Sequence, residues 1–183
     1  MSEKEKMLAG EFYRCYDDEL VAERKRAREI TRLYNNTTDD EADYRAELLK
    51  KLFGKIGENS FVEPTLKCDY GYNITVGDWF YANFDCVILD VCSVTIGDHV
   101  LFAPRVCLYT ATHPVDVATR NLGLEFGKPI VIGDNVWLGG GAIVLPGVTI
   151  GDNTVIGAGS VVTKNIPEGV VAAGNPCRII REI

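Results

Sequence analysis

The sequence contains little histidine, little tryptophan and no long apolar run, and each scarcity excludes a class of protein. Its 183 residues include two histidines and two tryptophans. No apolar stretch approaches the roughly 18 residues of a membrane span, and the polar start Met1-Ser-Glu-Lys-Glu-Lys lacks the hydrophobic centre of a signal peptide. We therefore expect a cytoplasmic protein with no membrane partner.

Basic residues are also in short supply. The chain has 19 lysines and arginines against 26 acidic residues, for a net charge of −7. Non-specific binding to nucleic acids requires a concentrated basic face, so we expect no nucleic-acid partner. Any ligand that carries phosphate must be bound by a local basic cluster.

A six-residue repeat is the strongest positive signal. Between residues 132 and 167 an aliphatic residue opens each hexad, and glycine follows it in four of the six hexads. A small or β-branched residue recurs four positions into each hexad. This pattern is the signature of a parallel β-helix. The opening residues are Ile132, Leu138, Val144, Ile150, Ile156 and Val162. Less regular hexads, with a phase slip near Val94, extend the pattern back to Ile56.

The repeat divides the chain. Residues 1–54 contain no hexads and predict a helical cap, with a second helix from Asp39 to Phe53 that begins at Asp39 or Asp40 and stops at Gly54. Residues 55–183 predict one β-helix domain with a C-terminal tail at 168–183. Residues 114–129 interrupt the hexads and predict an inserted surface loop, a common place for functional residues on a rigid scaffold.

The six cysteines include no CxxC pair. Cys68, Cys86 and Cys92 are separated by 18 and 6 residues, both multiples of the repeat, which predicts a stacked interior column rather than a metal or disulfide site. A zinc site of three histidines cannot be built from His99 and His113 alone.

His113 lies where the last hexad before the inserted loop ends. An imidazole with an ordinary pKa near 6.5 can accept a proton at neutral pH, and this junction would hold it fixed but accessible. A histidine that merely caps a turn is the alternative. His99 occupies the hexad position of Asn135 and Asn153, which predicts a surface turn.

Several longer motifs carry a family resemblance. They are Tyr81-Ala-Asn-Phe-Asp, Tyr109-Thr-Ala-Thr-His-Pro, Gly133-Asp-Asn-Val-Trp-Leu-Gly-Gly, Val161-Val-Thr-Lys and Gly174-Asn-Pro-Cys-Arg. With them the chain resembles the hexapeptide sugar O-acetyltransferases over nearly its whole length. The stretches Glu5-Lys-Met-Leu-Ala-Gly-Glu-Phe-Tyr and Cys68-Asp-Tyr-Gly-Tyr-Asn are most similar to the branch that acetylates maltose. The resemblance implies a left-handed parallel β-helix, a homotrimer and acetyl transfer from acetyl-CoA to a sugar hydroxyl, with no metal required.

The resemblance also implies roles for particular residues. His113 would be the general base that lets the acceptor hydroxyl attack the thioester directly in a ternary complex. Tyr81 and Asn83 would bind the acceptor, with Glu125, Arg24 and Asp17 as further candidates. Ordinary surface exposure is the alternative for each of these five. The galactoside branch has acidic contacts where this chain has Cys15 and Val91, which favours maltose or glucose over galactosides.

For acetyl-CoA the resemblance implies binding by residues of glycine-rich turns and by basic residues. They are Trp137, Gly140, Ala158, Thr163, Lys164, Arg178 and Arg181. Lys164 and the two arginines supply cations near the end of an acidic chain, and glycine-rich turns let a pantetheine arm approach the backbone. Solubility of the C-terminus is the alternative for the arginines.

Flat β-helix faces left apolar would be covered in a trimer, and Trp79, Phe80, Trp137 and Leu138 are candidates for such faces. The trimer would bring His113 of one subunit opposite the CoA-binding residues of another. Two other functions stay open: acetyl transfer to a galactoside, antibiotic or amino sugar, and a non-enzymatic scaffold built of repeats.

Overall fold

A computed structural model describes all 183 residues, Met1–Ile183. Three parallel sheets form the faces of a triangular prism, and the chain crosses them in turn through about six coils. The parallel β-helix, with helices at its N-terminal end, is therefore confirmed. No helix is long and apolar enough to cross a membrane.

The strands of each face are stacked in register along the prism. Face I contains β2 (Lys55–Ile56), β5 (Ile74–Val76), β8 (Val94–Ile96), β13 (Ile130–Ile132) and β16 (Thr149–Ile150). Face II contains β3 (Phe61–Val62), β6 (Tyr81–Ala82), β9 (Leu101–Phe102), β14 (Trp137–Leu138), β17 (Val155–Ile156), β19 (Val170–Ala173) and the antiparallel β20 (Arg178–Glu182). Face III contains β4 (Leu66–Cys68), β7 (Cys86–Leu89), β10 (Cys107–Tyr109), β15 (Ile143–Val144) and β18 (Val161–Val162).

The core is formed by the hexad-opening side chains, which point into the prism. Leu108, Val144 and Ile150 are fully buried, and a side chain of this kind contributes roughly 1.5–3 kcal/mol on burial. Phe80 and Leu138 belong to this core, so the prediction that they lie on an outer face is wrong. Leu138 opens a hexad and Phe80 stands four positions into one, and the side chains at both positions face inward. Trp79 and Trp137 are more than half exposed, as expected.

Coil length changes along the prism. In the early coils Val62 pairs with Ala82, a step of 20 residues, whereas in the later coils Leu138 pairs with Ile156, a step of 18. The predicted cysteine column is therefore wrong in its stacking: Cys68 lies beside Ile88, and Cys86 lies beside Leu66. The three cysteines are nevertheless buried, as predicted.

Aspartates define the corner between faces I and II, which we call the ladder corner. The Oδ1 atoms of Asp78, Asp98, Asp134 and Asp152 each accept a backbone N–H of the preceding coil, at 2.7, 2.8, 2.8 and 2.8 Å. His99 lies in the turn of this corner with φ of 54° and is exposed. Its imidazole stacks on the Trp79 ring, with 6.2 Å between the centroids.

The N-terminal helices close one end of the prism. They are α1 (Glu3–Leu8), α2 (Asp18–Asn35) and α3 (Ala42–Leu52), with a 3₁₀ turn at Asp39–Glu41. On α2, the Tyr34 hydroxyl donates to the carbonyl of Val62, and the Asn35 amide exchanges two hydrogen bonds with the backbone of Leu66. The cap thereby covers core side chains of the first coil that would otherwise face water.

The inserted segment folds back on the prism instead of forming a simple surface loop. It contains α4 (Val117–Asn121) and β12 (Leu124–Gly127), and β12 pairs antiparallel with β11 (Ala111–Thr112). The other edge of β12 pairs with β1 (Tyr13–Arg14) from the N-terminal region. This small sheet lies at the corner between faces III and I, which we call the loop corner. In successive coils the loop corner comprises residues 69–73, 90–93, 110–129, 145–148 and 163–165.

Candidate active site

The small antiparallel sheet places Glu125 between Tyr13 and the position of His113. Tyr13 is the register partner of Glu125, and Thr112 is the partner of Phe126, so one further residue brings His113 opposite Glu125. The Tyr13 hydroxyl donates to Glu125 Oε2 at 3.0 Å. Directly opposed residues project to the same side of a sheet, so the three positions form one row. His113 itself is exposed.

Arg24 connects the cap to the loop corner beside this row. From α2, its Nη1 donates to the Tyr70 hydroxyl at 2.7 Å, and its Nη2 donates to the carbonyl of Cys15 at 2.5 Å. The guanidinium also lies over the Tyr70 ring, 5.7 Å from its centroid. Arg24 is therefore held by two segments outside its own helix and is not one of the freely solvated arginines of α2.

Two carboxylates, Asp69 and Glu125, lie in the same region as this arginine, and neither forms an ion pair with it. Burial raises the pKa of Asp69, the positive charge of Arg24 opposes that rise, and the negative charge of Glu125 adds to it. Burial and the nearby Glu125 also raise the pKa of Tyr13. A cation beside two carboxylates offers donors and acceptors to several hydroxyl groups at once.

The Cys15 thiol lies in the same region but is a poor nucleophile. Burial and a hydrogen bond to Glu125 raise its pKa to about 11, although the charge of Arg24 acts in the opposite direction. At neutral pH the thiol therefore stays protonated, and the thiolate is the nucleophilic form. This is consistent with the expected direct transfer without a cysteine intermediate.

Asp17 serves as the N-cap of α2. Its carboxylate accepts the backbone N–H groups of Glu19 at 3.1 Å and of Leu20 at 3.4 Å. These bonds give the residue a structural role that the sequence analysis did not assign. Binding of the acceptor by Asp17 stays a prediction.

Tyr81 and Trp137 lie in one outward-facing column on face II. Tyr81 is the register partner of Leu101, Leu101 of Trp137, and Trp137 of Val155. Neighbouring strands lie about 4.8 Å apart, so two steps separate Tyr81 from Trp137 by roughly 10 Å. The ring of Phe61 stacks on that of Tyr81 with 6.4 Å between the centroids. A candidate acceptor residue and a candidate CoA residue thus share one exposed stripe.

Asn83, Gly140 and Ala158 lie at the corner between faces II and III. The backbone N–H of Gly159 donates to the carbonyl of Gly140 at 2.8 Å, which stacks two successive turns of this corner. A Cβ added at Gly140 would lie 3.5 Å from its nearest neighbour, the carbonyl oxygen of Pro104. An alanine would therefore fit at this position without a steric clash. Gly139 is different, because its Cβ would lie 2.5 Å from the backbone nitrogen of Ala158.

The basic candidates gather at the other end of the prism. Lys164 and Arg178 line one surface cavity of about 440 Å³, together with Asn165, Ile166, Cys177 and Ile179. Thr163 and Lys164 belong to the loop corner, two coils beyond the inserted segment. Arg181 lies on β20, and all four polar candidates of this end are exposed.

Within one chain the predicted site residues therefore form separate groups. His113 and Glu125 lie at the loop corner, on one edge of face III, with Thr163 and Lys164 two coils further along it and Arg24 packed against it from α2. Asn83, Gly140 and Ala158 lie on the other edge of face III.

Sequence reasoning missed several residues around Arg24. Tyr13, Asp69 and Tyr70 had no hexad position, and Tyr13 reaches the site through a strand pairing with β12, 112 residues away. The only sequence signal for Asp69 and Tyr70 was the stretch Cys68-Asp-Tyr-Gly-Tyr-Asn, which carried a resemblance but no assigned role. No group of three or more His, Cys, Asp or Glu side chains is arranged to hold a metal ion.

Comparison with known proteins gives close similarities over the whole chain. A family model for the maltose acetyltransferase hexapeptide capping motif matches residues 6–57, and one for the bacterial transferase hexapeptide, with six repeats, matches residues 129–164. Nodulation protein L from Rhizobium leguminosarum bv. viciae is 51% identical, over 97% of this chain and 94% of that protein.

Two solved structures are also similar. The crystal structure of a maltose O-acetyltransferase from Clostridium difficile 630 has a TM-score of 0.99 and 57% identity, covering 100% of this chain and 98% of that one. A galactoside acetyltransferase in complex with coenzyme A has a TM-score of 0.97 and 47% identity, covering 100% of this chain and 92% of that one.

Proposed function

This chain belongs to the hexapeptide-repeat sugar O-acetyltransferases, and from that membership we propose that it transfers the acetyl group of acetyl-CoA to a sugar hydroxyl. Maltose or glucose is the favoured acceptor. The similarity to a maltose O-acetyltransferase supports the acceptor class, and the relative in complex with coenzyme A supports the acetyl donor. Repeats alone specify shape, but the family adds an enzyme class, which argues against the scaffold alternative.

In the proposed mechanism His113 is the general base. Its imidazole takes the proton of the acceptor hydroxyl while the sugar oxygen attacks the thioester carbonyl carbon. The tetrahedral adduct then expels the CoA sulfur, which receives a proton, and the imidazole returns to its neutral form. General-base catalysis of this kind is typically worth about 10²- to 10⁴-fold in rate. The register that brings the position of His113 opposite Glu125 is the observation that supports this assignment, since a carboxylate can accept the N–H of an imidazole and orient its ring.

Acceptor recognition is proposed to depend on Arg24, Asp69 and Glu125. These groups surround the row with donors and acceptors suited to vicinal hydroxyls. Val91 packs with Tyr13 and Tyr70 in a small apolar cluster, and Cys15 lies against the same cluster. These two apolar neighbours stand where the galactoside branch is expected to carry acidic contacts, which supports a glucosyl acceptor.

A homotrimer is proposed to complete the site. In that trimer Tyr81, Asn83, Gly140 and Ala158 of a neighbouring subunit would face His113. The exposed column of Leu101 and Trp137 on face II supplies an apolar surface for such packing.

The test is acetyl-CoA-dependent release of CoA thiol with maltose, glucose, galactosides, glucosamine and chloramphenicol as acceptors. The variant His113→Ala should lower kcat by about 10²- to 10⁴-fold with the preferred sugar. His99→Ala is the matched control, because His99 is the other exposed histidine and lies on a different corner. Comparable losses in both variants would refute His113 as the base. Turnover only with chloramphenicol would refute the sugar acceptor.

A further inference from the structure

A buried carboxylate lies under the candidate acceptor site and has no role in the proposed chemistry. Asp90 follows β7 at the loop corner and is 0% exposed. In the stack of coils it lies between residues 69–73 of the preceding coil and residues 110–129 of the following one. The hexad pattern does not explain an aspartate at such a position, because a charge removed from water is costly unless it is hydrogen-bonded.

The hydrogen bonds of Asp90 all go to one segment. Its Oδ1 accepts the backbone N–H of Asp69 at 3.0 Å and of Tyr70 at 2.9 Å, and its Oδ2 accepts that of Asn73 at 3.3 Å. The Asn73 side chain in turn donates to the Asp90 carbonyl at 2.7 Å. Both carboxylate oxygens are therefore committed to holding the backbone of residues 69–73.

That segment carries two groups of the candidate acceptor site. Asp69 is the half-buried carboxylate near Arg24, and the Tyr70 hydroxyl accepts the hydrogen bond from Arg24. Gly71, which has φ of 80°, comes next and turns the chain, and Tyr72 and Asn73 then lead into β5. A shift of the backbone at residues 69 and 70 would therefore move Asp69 and the partner of Arg24 together.

We propose that Asp90 is a positioning residue for the acceptor site: its buried carboxylate fixes the backbone of Asp69 and Tyr70 so that these groups and Arg24 face the sugar. The inference rests on the proposed function for its catalytic meaning. The anchoring itself does not, because it concerns only contacts inside this chain.

Three variants separate positioning from simple stability. Asp90→Ala removes all three hydrogen bonds that the carboxylate accepts from the backbone N–H groups of residues 69, 70 and 73. Asp90→Asn keeps an oxygen for the N–H groups of Asp69 and Tyr70 but turns an NH₂ group toward the N–H of Asn73. Asp98→Ala is the control, because Asp98 also accepts a backbone N–H, that of Asp78 at 2.8 Å, but at the ladder corner.

The first measurement is amide hydrogen exchange of residues 69 and 70 in the intact protein. We expect faster exchange in Asp90→Ala than in the wild type or in Asp98→Ala. Unchanged exchange at these two amides would refute the anchoring, whatever the enzyme acetylates. If Asp90→Ala does not fold, Asp90→Asn should show faster exchange at the amide of Asn73. Unchanged exchange at that amide would likewise refute the anchoring.

The second measurement is steady-state kinetics with the preferred sugar and with acetyl-CoA. We expect Asp90→Ala to lower kcat/KM for the sugar by about 10- to 100-fold, since a small misplacement of binding groups has effects of that order, and to leave KM for acetyl-CoA unchanged. Asp90→Asn should recover most of the loss. Equal effects on both substrates, or the same kinetics in Asp98→Ala, would overturn the positioning role. A wild-type enzyme inactive with every sugar would refute the proposed function instead.

Discussion

The proposed division of the site between subunits predicts complementation between two inactive variants. One variant is His113→Ala, which removes the proposed base at the loop corner. The other is Ala158→Trp, which fills the exposed position at the corner between faces II and III where CoA is expected. Each homotrimer should be inactive, because all three of its sites lack either the base or the open groove.

The magnitude follows from the geometry. Ala158 and His113 lie on opposite edges of face III, and two register steps, from Cys107 to Ile143 and from Ile143 to Val161, separate their coils. Two steps amount to roughly 10 Å along the prism, whereas reacting atoms must approach to about 3–3.5 Å. We therefore expect the base and the groove of a working site to come from different chains. In randomly mixed trimers a site is intact when the base comes from an Ala158→Trp chain and the groove from a His113→Ala chain, which happens for about a quarter of the interfaces.

The assay is CoA-thiol release after co-expression of the two variants with different affinity tags and isolation of doubly tagged trimers. Isolation removes the homotrimers, and every remaining trimer contains one intact site among its three. The isolated trimers should therefore have about one third of the wild-type activity per trimer. Light scattering must first show that each variant assembles as the wild type does. Mixed trimers without activity would refute the division of the site, and a monomeric wild type would refute the assembly on which it depends.

Three further predictions concern stability. Gly139→Ala should lower the free energy of unfolding by about 1–3 kcal/mol in urea titrations because its Cβ would lie 2.5 Å from the nitrogen of Ala158, while Gly140→Ala, with 3.5 Å of space, should be nearly neutral. Leu108→Ala should cost about 2–5 kcal/mol, since Leu108 is fully buried, and a much smaller loss would mean that the core collapses onto the cavity. Burial raises the pKa of Asp90 to about 7 from 3.8. Between these pH values the folded protein keeps a proton on Asp90 that the unfolded chain releases. The free energy of unfolding of the wild type, relative to that of Asp90→Asn, should therefore fall as pH rises from about 4 to about 7. A stability difference between the wild type and Asp90→Asn that grows with pH would contradict the raised pKa of Asp90.

The sequence predicted most of the β-helix because its core is a local pattern. Ile132, Leu138 and Val144 recur at fixed spacing, and each faces inward in the structure. The same reasoning failed for the cysteines, since it assumed coils of 18 residues where the early coils advance by 20. A corner can absorb two extra residues without disturbing the strands, and such corner residues leave no periodic signal.

The start of the third helix shows a similar limit. The sequence placed the N-cap at Asp39 or Asp40, but the structure has a capping box between Thr38 and Glu41, a 3₁₀ turn, and α3 only from Ala42. Acidic residues suit the first turn of either arrangement, so composition alone could not distinguish the two. The predicted end was nearly right, because α3 ends at Leu52, next to Phe53.

The candidate site was harder to predict because it is assembled where periodicity stops. His113 was identifiable as the residue at the break in the hexads. Its surroundings were not, since the row with Glu125 and Tyr13 depends on β1 pairing with a strand more than a hundred residues away. Pairings between distant segments have no signature in local spacing.

The architecture explains why many of the candidate binding groups collect at corners. Each face repeats a strand whose inward side chain fills the core, so a change on a face disturbs the coils above and below it. A corner can be lengthened, as at residues 110–129, or can hold a buried anchor, as at Asp90, while the stacked strands keep their register. The prism thus supplies fixed positions for groups that its own repeat could not encode. If the anchor proposal is right, the precision of the acceptor site depends on a carboxylate that no substrate touches.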